Sequence, residues 1–65
     1  MAEGTVRKKS SRGFGFIRNN RGSDIYFEMS AVDGISFADL REGQRVSFNE
    51  TRLGSKPRAE NVKPI

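Results

Sequence analysis

The sequence predicts an all-β fold, a small antiparallel barrel of five short strands, and three observations support that prediction. Its strand-like runs are short and are separated by clusters of Gly, Asn, Asp and Ser residues. Within these runs, apolar and polar residues alternate with the period of two that is typical of half-buried strands. The chain has 65 residues, which is room for one domain, 1–65, with one modest core. The predicted strands span residues 4–9, 13–18, 24–29, 45–51 and 59–62.

Turn-forming residues lie where the hairpins need them. Ser10-Ser11-Arg12 separates the first two strands, residues 19–23 separate the next two, and Leu53-Gly54-Ser55 precedes the last. The longer interval 30–44 mixes turn residues with short apolar runs, which predicts a loop with a single helical turn rather than a full helix. We therefore expect almost no helix.

Composition argues against catalysis. The sequence contains no His and no Cys, which removes the usual general base, the thiolate nucleophile and the commonest zinc ligands. We therefore expect no enzymatic activity, no metal and no cofactor.

A small domain without disulfides is typical of a reducing cytosol, and Met1-Ala2-Glu3-Gly4 lacks the apolar run of a signal peptide. No run approaches the roughly 20 apolar residues of a membrane span, so we expect a cytoplasmic protein without membrane contact. We also expect a monomer.

Positive charge is concentrated near the N-terminus. Twelve Lys and Arg against eight Asp and Glu give a net charge of +4 and a pI near 10.1, a balance that favours polyanionic partners. Half of the cations lie between Gly4 and Gly22, a stretch without any acid. Either a solvated basic loop or a polyanion-binding surface is consistent with this pattern. These cations are Arg7, Lys8, Lys9, Arg12, Arg18 and Arg21.

The second strand has an unusual alternation. Phe14 and Phe16 share one face, and Gly13, Gly15 and Ile17 share the other. Either the two rings face the core and the glycines face solvent, or Ile17 faces the core and two rings are exposed side by side. Adjacent exposed rings generally mark an interaction surface, and inward glycines let a strand coil tightly around a small barrel. The second arrangement therefore indicates a ligand-binding face.

The third strand supplies a further ring. Alternation places Ile25, Phe27 and Met29 on one side and Tyr26 and Glu28 on the other, and we expect Ile25 and Phe27 in the core. The short connection makes the second and third strands antiparallel neighbours. Tyr26 is therefore predicted to stand beside the two rings of the second strand.

The aromatic motif leads to a family resemblance. Arg12-Gly13-Phe14-Gly15-Phe16-Ile17 fits the base-stacking strand of single-strand RNA-binding folds, but the order and spacing of the two aromatic strands differ from the RNA-recognition motif. The chain instead resembles the cold-shock domain family over nearly its whole length. Further matching segments are Gly4-Thr5-Val6-Arg7, Asp24-Ile25-Tyr26, Met29-Ser30-Ala31-Val32, Leu40-Arg41-Glu42-Gly43-Gln44-Arg45-Val46-Ser47-Phe48 and Ala59-Glu60-Asn61-Val62.

This resemblance implies a five-stranded OB-fold barrel that binds single-stranded RNA or DNA. It implies that Phe14, Phe16 and Tyr26 stack on bases and that Phe37, in the long loop, is a further aromatic contact. We assign phosphate contacts to the nearby cations. These cations are Arg7, Lys8, Lys9, Arg12, Lys56 and Arg58. For Lys56 and Arg58, the alternative is that they are only solvated loop charges.

The sequence departs from the family pattern at the predicted ligand surface. Lys8-Lys9-Ser10 stands where typical members have Trp-Phe-Asn, so one stacking ring is missing. Glu28 replaces a usual His, Met29 a Phe, and Lys56 a Gly, while Phe27 is larger than the usual β-branched residue. For Glu28 two interpretations are open: an ion pair with a neighbouring Arg or Lys, or a hydrogen-bond acceptor for a base edge.

Two functions are consistent with these features. The first is a single-strand nucleic-acid-binding protein that uses base stacking and phosphate contacts, acting as an RNA chaperone or as a modulator of transcription or translation. The alternative is a protein-interaction barrel, in which the exposed rings and the basic rim dock an acidic partner. Binding to oligonucleotides at low salt discriminates between the two.

Overall fold

Five β-strands form nearly all of the regular structure in the computed structural model, which describes residues 2–65 apart from the side chain of Leu53. Met1, included in the predicted domain and in the predicted N-terminal segment, lies outside the described residues. Two single-turn 3₁₀ helices, Met29–Ala31 and Phe37–Asp39, lie in the connection between the third and fourth strands. The strands are β1 (Ala2–Ser10), β2 (Phe14–Asn19), β3 (Asp24–Glu28), β4 (Arg45–Leu53) and β5 (Lys56–Pro64).

All five predicted strands are present, but their ends differ from the prediction. β5 begins three residues early, because Pro57 argues against a strand in the sequence and yet pairs with Arg52 of β4. β3 ends at Glu28 rather than at Met29. Met29 instead begins a 3₁₀ turn and is 58% exposed, so its predicted placement on the same side as Ile25 and Phe27 is wrong. Alternation applies only while the strand continues.

The strands close into a barrel in the order β1-β2-β3-β5-β4. The pairs are antiparallel, as predicted, except for the contact between β3 and β5, where Tyr26 and Arg58 are partners in a parallel pair. This parallel contact brings a residue of β5 next to the outer side of β3. The all-β barrel predicted from the sequence is confirmed.

The core fills the barrel with apolar side chains from all five strands and from the long loop. The predicted core positions Ile17, Ile25 and Phe27 are buried, at 1% exposure or less. Burial of such side chains contributes roughly 1.5–3 kcal/mol each to folding. The remaining core residues are Val6, Leu40, Val46, Phe48, Ala59 and Val62.

Gly15 is required by the close approach of two neighbours. A Cβ atom at this position would lie 2.5 Å from the Lys8 carbonyl oxygen and 2.9 Å from the Phe27 ring. The Phe27 ring therefore takes the space that a side chain on β2 would otherwise fill. The large residue at position 27 and the absent side chain at position 15 fit each other.

A β-bulge interrupts the pairing of β1 with β2 between Val6 and Lys8. A bulge re-aims the side chains that follow it. Val6 points into the core, while Arg7 and Lys8 are both exposed. Two successive cations therefore face solvent at this point of β1, which strict alternation would not allow.

Candidate nucleic-acid interface

The outer side of β2 and β3 carries three rings that contact one another, Phe14, Phe16 and Tyr26, which we call the aromatic face. Phe14 stacks on Tyr26 with centroids 5.9 Å apart and an interplanar angle of 27°. Phe16 meets Phe14 edge-on at 6.2 Å and Tyr26 at 6.0 Å. All three rings are half-buried. The prediction that Phe14 and Phe16 face outwards while Ile17 faces the core is confirmed.

The β1 side of the aromatic face is cationic. Lys8 lies opposite Phe16 in the β1–β2 pairing, and a depression of about 250 Å³ between the strands is lined by Arg7, Lys8, Phe16 and Asp24. Arg7 donates through Nη1 to Asp24 Oδ2 at 2.8 Å. The charge of Arg7 is therefore partly balanced, whereas Lys8 makes no ion pair with the part of the chain that the structure describes.

Asp24 is a site residue that the sequence analysis did not single out. Its second oxygen, Oδ1, lies 3.6 Å from Nε of Arg18, which is its direct partner across the β2–β3 hairpin. The hairpin register gives this pairing once the turn 19–23 is recognised. Asp24 thus links two of the six N-terminal cations and holds them at the edge of the aromatic face.

Lys9 has a different environment from Lys8. Its Nζ lies 4.8 Å from the centroid of the Phe37 ring and donates hydrogen bonds to the backbone carbonyls of Ala38, at 3.4 Å, and of Leu40. The Phe37 ring in turn lies 6.0 Å from the ring of Phe27 in the core. Sequence reasoning assigned Lys9 to a phosphate, but its ammonium is already engaged by the long loop, where it helps to hold Phe37.

The β5 side of the aromatic face carries an ion pair between Glu28 and Arg58, formed by Oε1 and Nη2. The side chains are 42% and 28% exposed, respectively. The guanidinium carbon of Arg58 also lies 5.8 Å from the centroid of Tyr26, within the range of a cation–π contact. The interpretation of Glu28 as half of an ion pair is therefore confirmed, with Arg58 as its partner.

A depression of about 250 Å³ adjoins this ion pair. Lys56 is exposed at its rim. The Nε atom of Arg58 is buried and has no hydrogen-bond partner among the described residues. The residues that line the depression are Tyr26, Lys56, Pro57 and Arg58.

Two further predicted contacts lie at the end of the aromatic face. Arg12 is exposed in the turn between β1 and β2, where its backbone N–H donates to Ser10 Oγ at 3.1 Å. Met29 lies against the same turn, since its backbone N–H donates to the Gly13 carbonyl at 2.8 Å. A Cβ atom at Gly13, whose φ is 94°, would lie 2.9 Å from Met29 Sδ. The roles of Arg12 and Met29 in binding, like those of the other predicted site residues, stay predictions.

Among residues 2–65, no helix is long and apolar enough to span a membrane. Over the same residues, no group of three or more His, Cys, Asp or Glu side chains is placed to hold a metal ion.

Known proteins are similar to this chain over nearly its whole length. Residues 2–65 match the family model described as the 'Cold-shock' DNA-binding domain. Cold shock protein 2 of Lactiplantibacillus plantarum is 38% identical over 65 residues, covering 98% of each chain. Cold shock protein ScoF of Streptomyces coelicolor is 39% identical over 66 residues, again covering 98% of each.

A solved structure agrees with these sequence matches. The structure described as drosophila Unr CSD456 superposes with a TM-score of 0.84 and 25% sequence identity. The match covers 98% of this chain and 26% of that longer chain. The similarity therefore extends over one portion of that protein and over nearly all of the barrel described above.

Proposed function

This chain belongs to the cold-shock domain family, and from that premise we propose that it binds single-stranded RNA or DNA across the aromatic face. The family generally binds nucleic acids and is not known for enzymes. The observation that carries the proposal is the contact cluster of Phe14, Phe16 and Tyr26, half-buried on one side of two adjacent strands. Three rings kept together at the surface offer a platform on which unpaired bases stack.

Base stacking supplies the sequence-tolerant part of the affinity. Stacking on an aromatic side chain contributes roughly 1–3 kcal/mol per base, so at about 2 kcal/mol each, three or four rings, counting Phe37, contribute about 6–8 kcal/mol. A micromolar dissociation constant requires about 8 kcal/mol. Stacking alone therefore falls at or below that level, and phosphate contacts supply the remainder.

Phosphate contacts come from the cations around the aromatic face. Lys8 lies opposite Phe16, and Lys56 and Arg58 line the depression beside Tyr26. Arg12 extends this positive rim to the turn between β1 and β2, and Arg7, paired with Asp24, extends it in the opposite direction along β1. With about four phosphates neutralised, the logarithm of the affinity falls with the logarithm of salt concentration with a slope of about −3, at roughly 0.7 per contact.

Such a binder needs no catalysis to act on RNA structure. Binding to the single-stranded form lowers its free energy relative to the paired form, so weak duplexes are shifted towards single strands by mass action. This is the activity of an RNA chaperone. The same preference lets the protein act on transcription or translation where a hairpin is the control element.

The test is a fluorescence-anisotropy titration of labelled heptamer single strands at about 50 and about 200 mM salt. The wild-type protein is compared with a Phe14→Ala, Phe16→Ala double variant and with Ile65→Ala, which shortens an exposed apolar side chain outside the aromatic face. Loss of two stacking rings is expected to weaken binding about 30-fold or more. The control is expected to bind like the wild type.

Circular dichroism of each variant establishes that the barrel is intact. Because the three rings of the aromatic face are half-buried, we expect the double variant to fold. If the wild-type protein binds no oligonucleotide at low salt, the proposed function is wrong, and the exposed rings are better explained as a docking surface for an acidic protein.

A further inference from the structure

The β5 edge of the aromatic face brings four side chains into contact in series: Phe14 with Tyr26, Tyr26 with Arg58, and Arg58 with Glu28. Glu28 is the direct partner of Phe14 in the β2–β3 pairing, and Tyr26 is the direct partner of Arg58 in the β3–β5 pairing. Tyr26 and Glu28 are two residues apart on β3 and so share its outer side. A stacking ring, a carboxylate and a guanidinium are thus placed side by side.

The hydrogen-bonding groups of this edge are only partly used by the protein. A carboxylate has two oxygens with about four lone-pair sites, and the ion pair with Arg58 engages Oε1 of Glu28. The second oxygen has no hydrogen-bond partner within residues 2–65. Arg58 has five N–H donors; its Nε is buried, so the donors that it can offer a base are those of the terminal nitrogens Nη1 and Nη2. The edge therefore presents acceptors from Glu28 next to donors from Arg58.

The four bases differ in how they match such an edge. The Watson–Crick edge of guanine offers two adjacent donors, N1–H and the 2-amino group, beside the O6 acceptor. Two adjacent donors fit the two oxygens of a carboxylate, in the bidentate geometry that makes charge-assisted hydrogen bonds strong. Uracil offers one donor between two carbonyls, and adenine and cytosine offer an amino group next to a ring-nitrogen acceptor. Those neighbouring acceptors repel a carboxylate.

Arg58 adds to this match in two ways. Its guanidinium is a donor for O6 of a guanine whose N1–H faces Glu28. Its positive charge also compensates the carboxylate, which would otherwise repel the phosphates of the strand. The adjacent depression of about 250 Å³ is lined by Tyr26 and Arg58, and it gives space for a base at this edge.

We propose that Glu28 and Arg58 form a guanine-selective subsite at the β5 edge of the aromatic face. Glu28 accepts from N1–H and the 2-amino group, while Arg58 orients the carboxylate and donates to O6. This proposal rests on the proposed function, because it requires that a base stack on Phe14 or Tyr26. It makes one base position selective on a surface whose other contacts tolerate every base.

The test uses labelled uridine heptamers whose central base is uracil, cytosine, adenine, guanine or hypoxanthine, the base of inosine, which is guanine without the 2-amino group. For the wild-type protein we expect the guanine heptamer to bind about tenfold more tightly than the uracil heptamer. The inosine heptamer is expected to lie between them, because it loses one of the two donors. Equal binding of all five heptamers would overturn the guanine subsite and leave the proposed function in place.

Three variants assign the selectivity to the ion pair. Glu28→Gln keeps the shape of the side chain but loses one acceptor, so the preference for guanine is expected to fall to about twofold or less. Glu50→Gln removes the same charge from an exposed position on β4 and is expected to keep the tenfold preference. Arg58→Lys keeps the positive charge but loses the planar, forked arrangement of N–H donors. We therefore expect a reduced preference for guanine and an unchanged salt slope.

The outcomes separate the two proposals. A guanine preference that survives in Glu28→Gln contradicts the subsite, whatever the overall affinity. Absence of binding to every heptamer contradicts the proposed function itself. If Glu28→Gln did not fold, the comparison of guanine with inosine on the wild-type protein would still decide the matter, because it changes only the ligand.

Discussion

The two sides of β2 and β3 use aromatic residues in opposite ways. On the inner side, Phe27 is fully buried and fits against Gly15, which has no side chain. On the outer side, Phe14, Phe16 and Tyr26 contact one another but stay half-exposed. The same strands thus carry one ring that the fold requires and three that the fold leaves available. Substitutions on the inner side should therefore change stability, and those on the outer side should change binding.

The largest expected effect is the loss of stability when a phenylalanine ring is removed from the inner side rather than from the outer side. Phe27→Ala deletes a buried ring and is expected to lower the free energy of unfolding by about 3–5 kcal/mol. Phe14→Ala deletes a half-exposed ring and is expected to cost less than about half of that, while weakening single-strand binding by roughly 1–3 kcal/mol. Urea denaturation and anisotropy titration of both variants measure the two quantities.

A domain of this size has little stability to lose, so Phe27→Ala could fail to fold. The milder pair Phe27→Leu and Phe14→Leu then makes the same comparison. Equal losses of stability at the two positions would contradict the distinction between the inner and outer sides.

A smaller loss is expected from adding one methyl group to the inner side. In Gly15→Ala, the new Cβ atom would lie too close to the Lys8 carbonyl and to the Phe27 ring, and we expect destabilisation of about 2–4 kcal/mol. Thermal and urea unfolding measure this change. Adding Phe27→Val to Gly15→Ala relieves the contact with the ring but not with the carbonyl, so it should restore part of the stability.

Gly22→Ala provides the control for this substitution. No atom lies within 4 Å of a Cβ at Gly22, although its φ is 81°, so only backbone strain of roughly 1–2 kcal/mol is expected. A Gly15→Ala variant as stable as the wild type would show that β2 and Phe27 are not closely fitted.

The smallest expected effect separates the two neighbouring lysines at the edge of the aromatic face. Lys8→Met removes an exposed cation opposite Phe16 and is expected to reduce the salt slope of binding by about 0.7. Lys9→Met removes a cation that is engaged with Phe37 and the carbonyls of the long loop. For Lys9→Met, the salt slope of binding is expected to stay unchanged. The affinity is expected to fall by a fewfold, because the contact of Lys9 with the Phe37 ring is lost.

Anisotropy titrations at four or more salt concentrations give these slopes. Methionine keeps the length and apolar character of both side chains, so the two variants are matched. A loss of slope in Lys9→Met as large as that in Lys8→Met would mean that Lys9 leaves the loop to contact a phosphate.

The sequence showed which residues of β2 and β3 share a side, because period-two alternation is a local property. It left open which side of β2 faces the core until the family resemblance favoured outward Phe14 and Phe16 beside Tyr26, and it offered an ion pair as one of two interpretations of Glu28. It could not identify Arg58 as the partner, because that contact depends on the closure of the barrel by the parallel pairing of β3 with β5. Contacts between residues 30 positions apart require the topology.

Other differences arose where local rules were interrupted. The β-bulge after Val6 turns Arg7 and Lys8 to the same solvent-exposed side, and no residue type in that segment signals it. Met29 left the core side because β3 ends one residue earlier than its alternation indicates. The engagement of Lys9 by the long loop was equally hidden, because it depends on where a loop of irregular structure folds back.

The single tyrosine gives a direct measurement of base stacking. The sequence contains one Tyr and no Trp, so the intrinsic fluorescence of the protein reports on Tyr26, which lies at the centre of the aromatic face. An unlabelled heptamer is titrated into the protein, with correction for its absorbance and with an abasic heptamer of equal charge as the control. We predict saturable quenching of Tyr26 at the dissociation constant found by anisotropy, and little quenching by the abasic strand. Binding by anisotropy with unchanged Tyr26 emission would contradict stacking on the aromatic face.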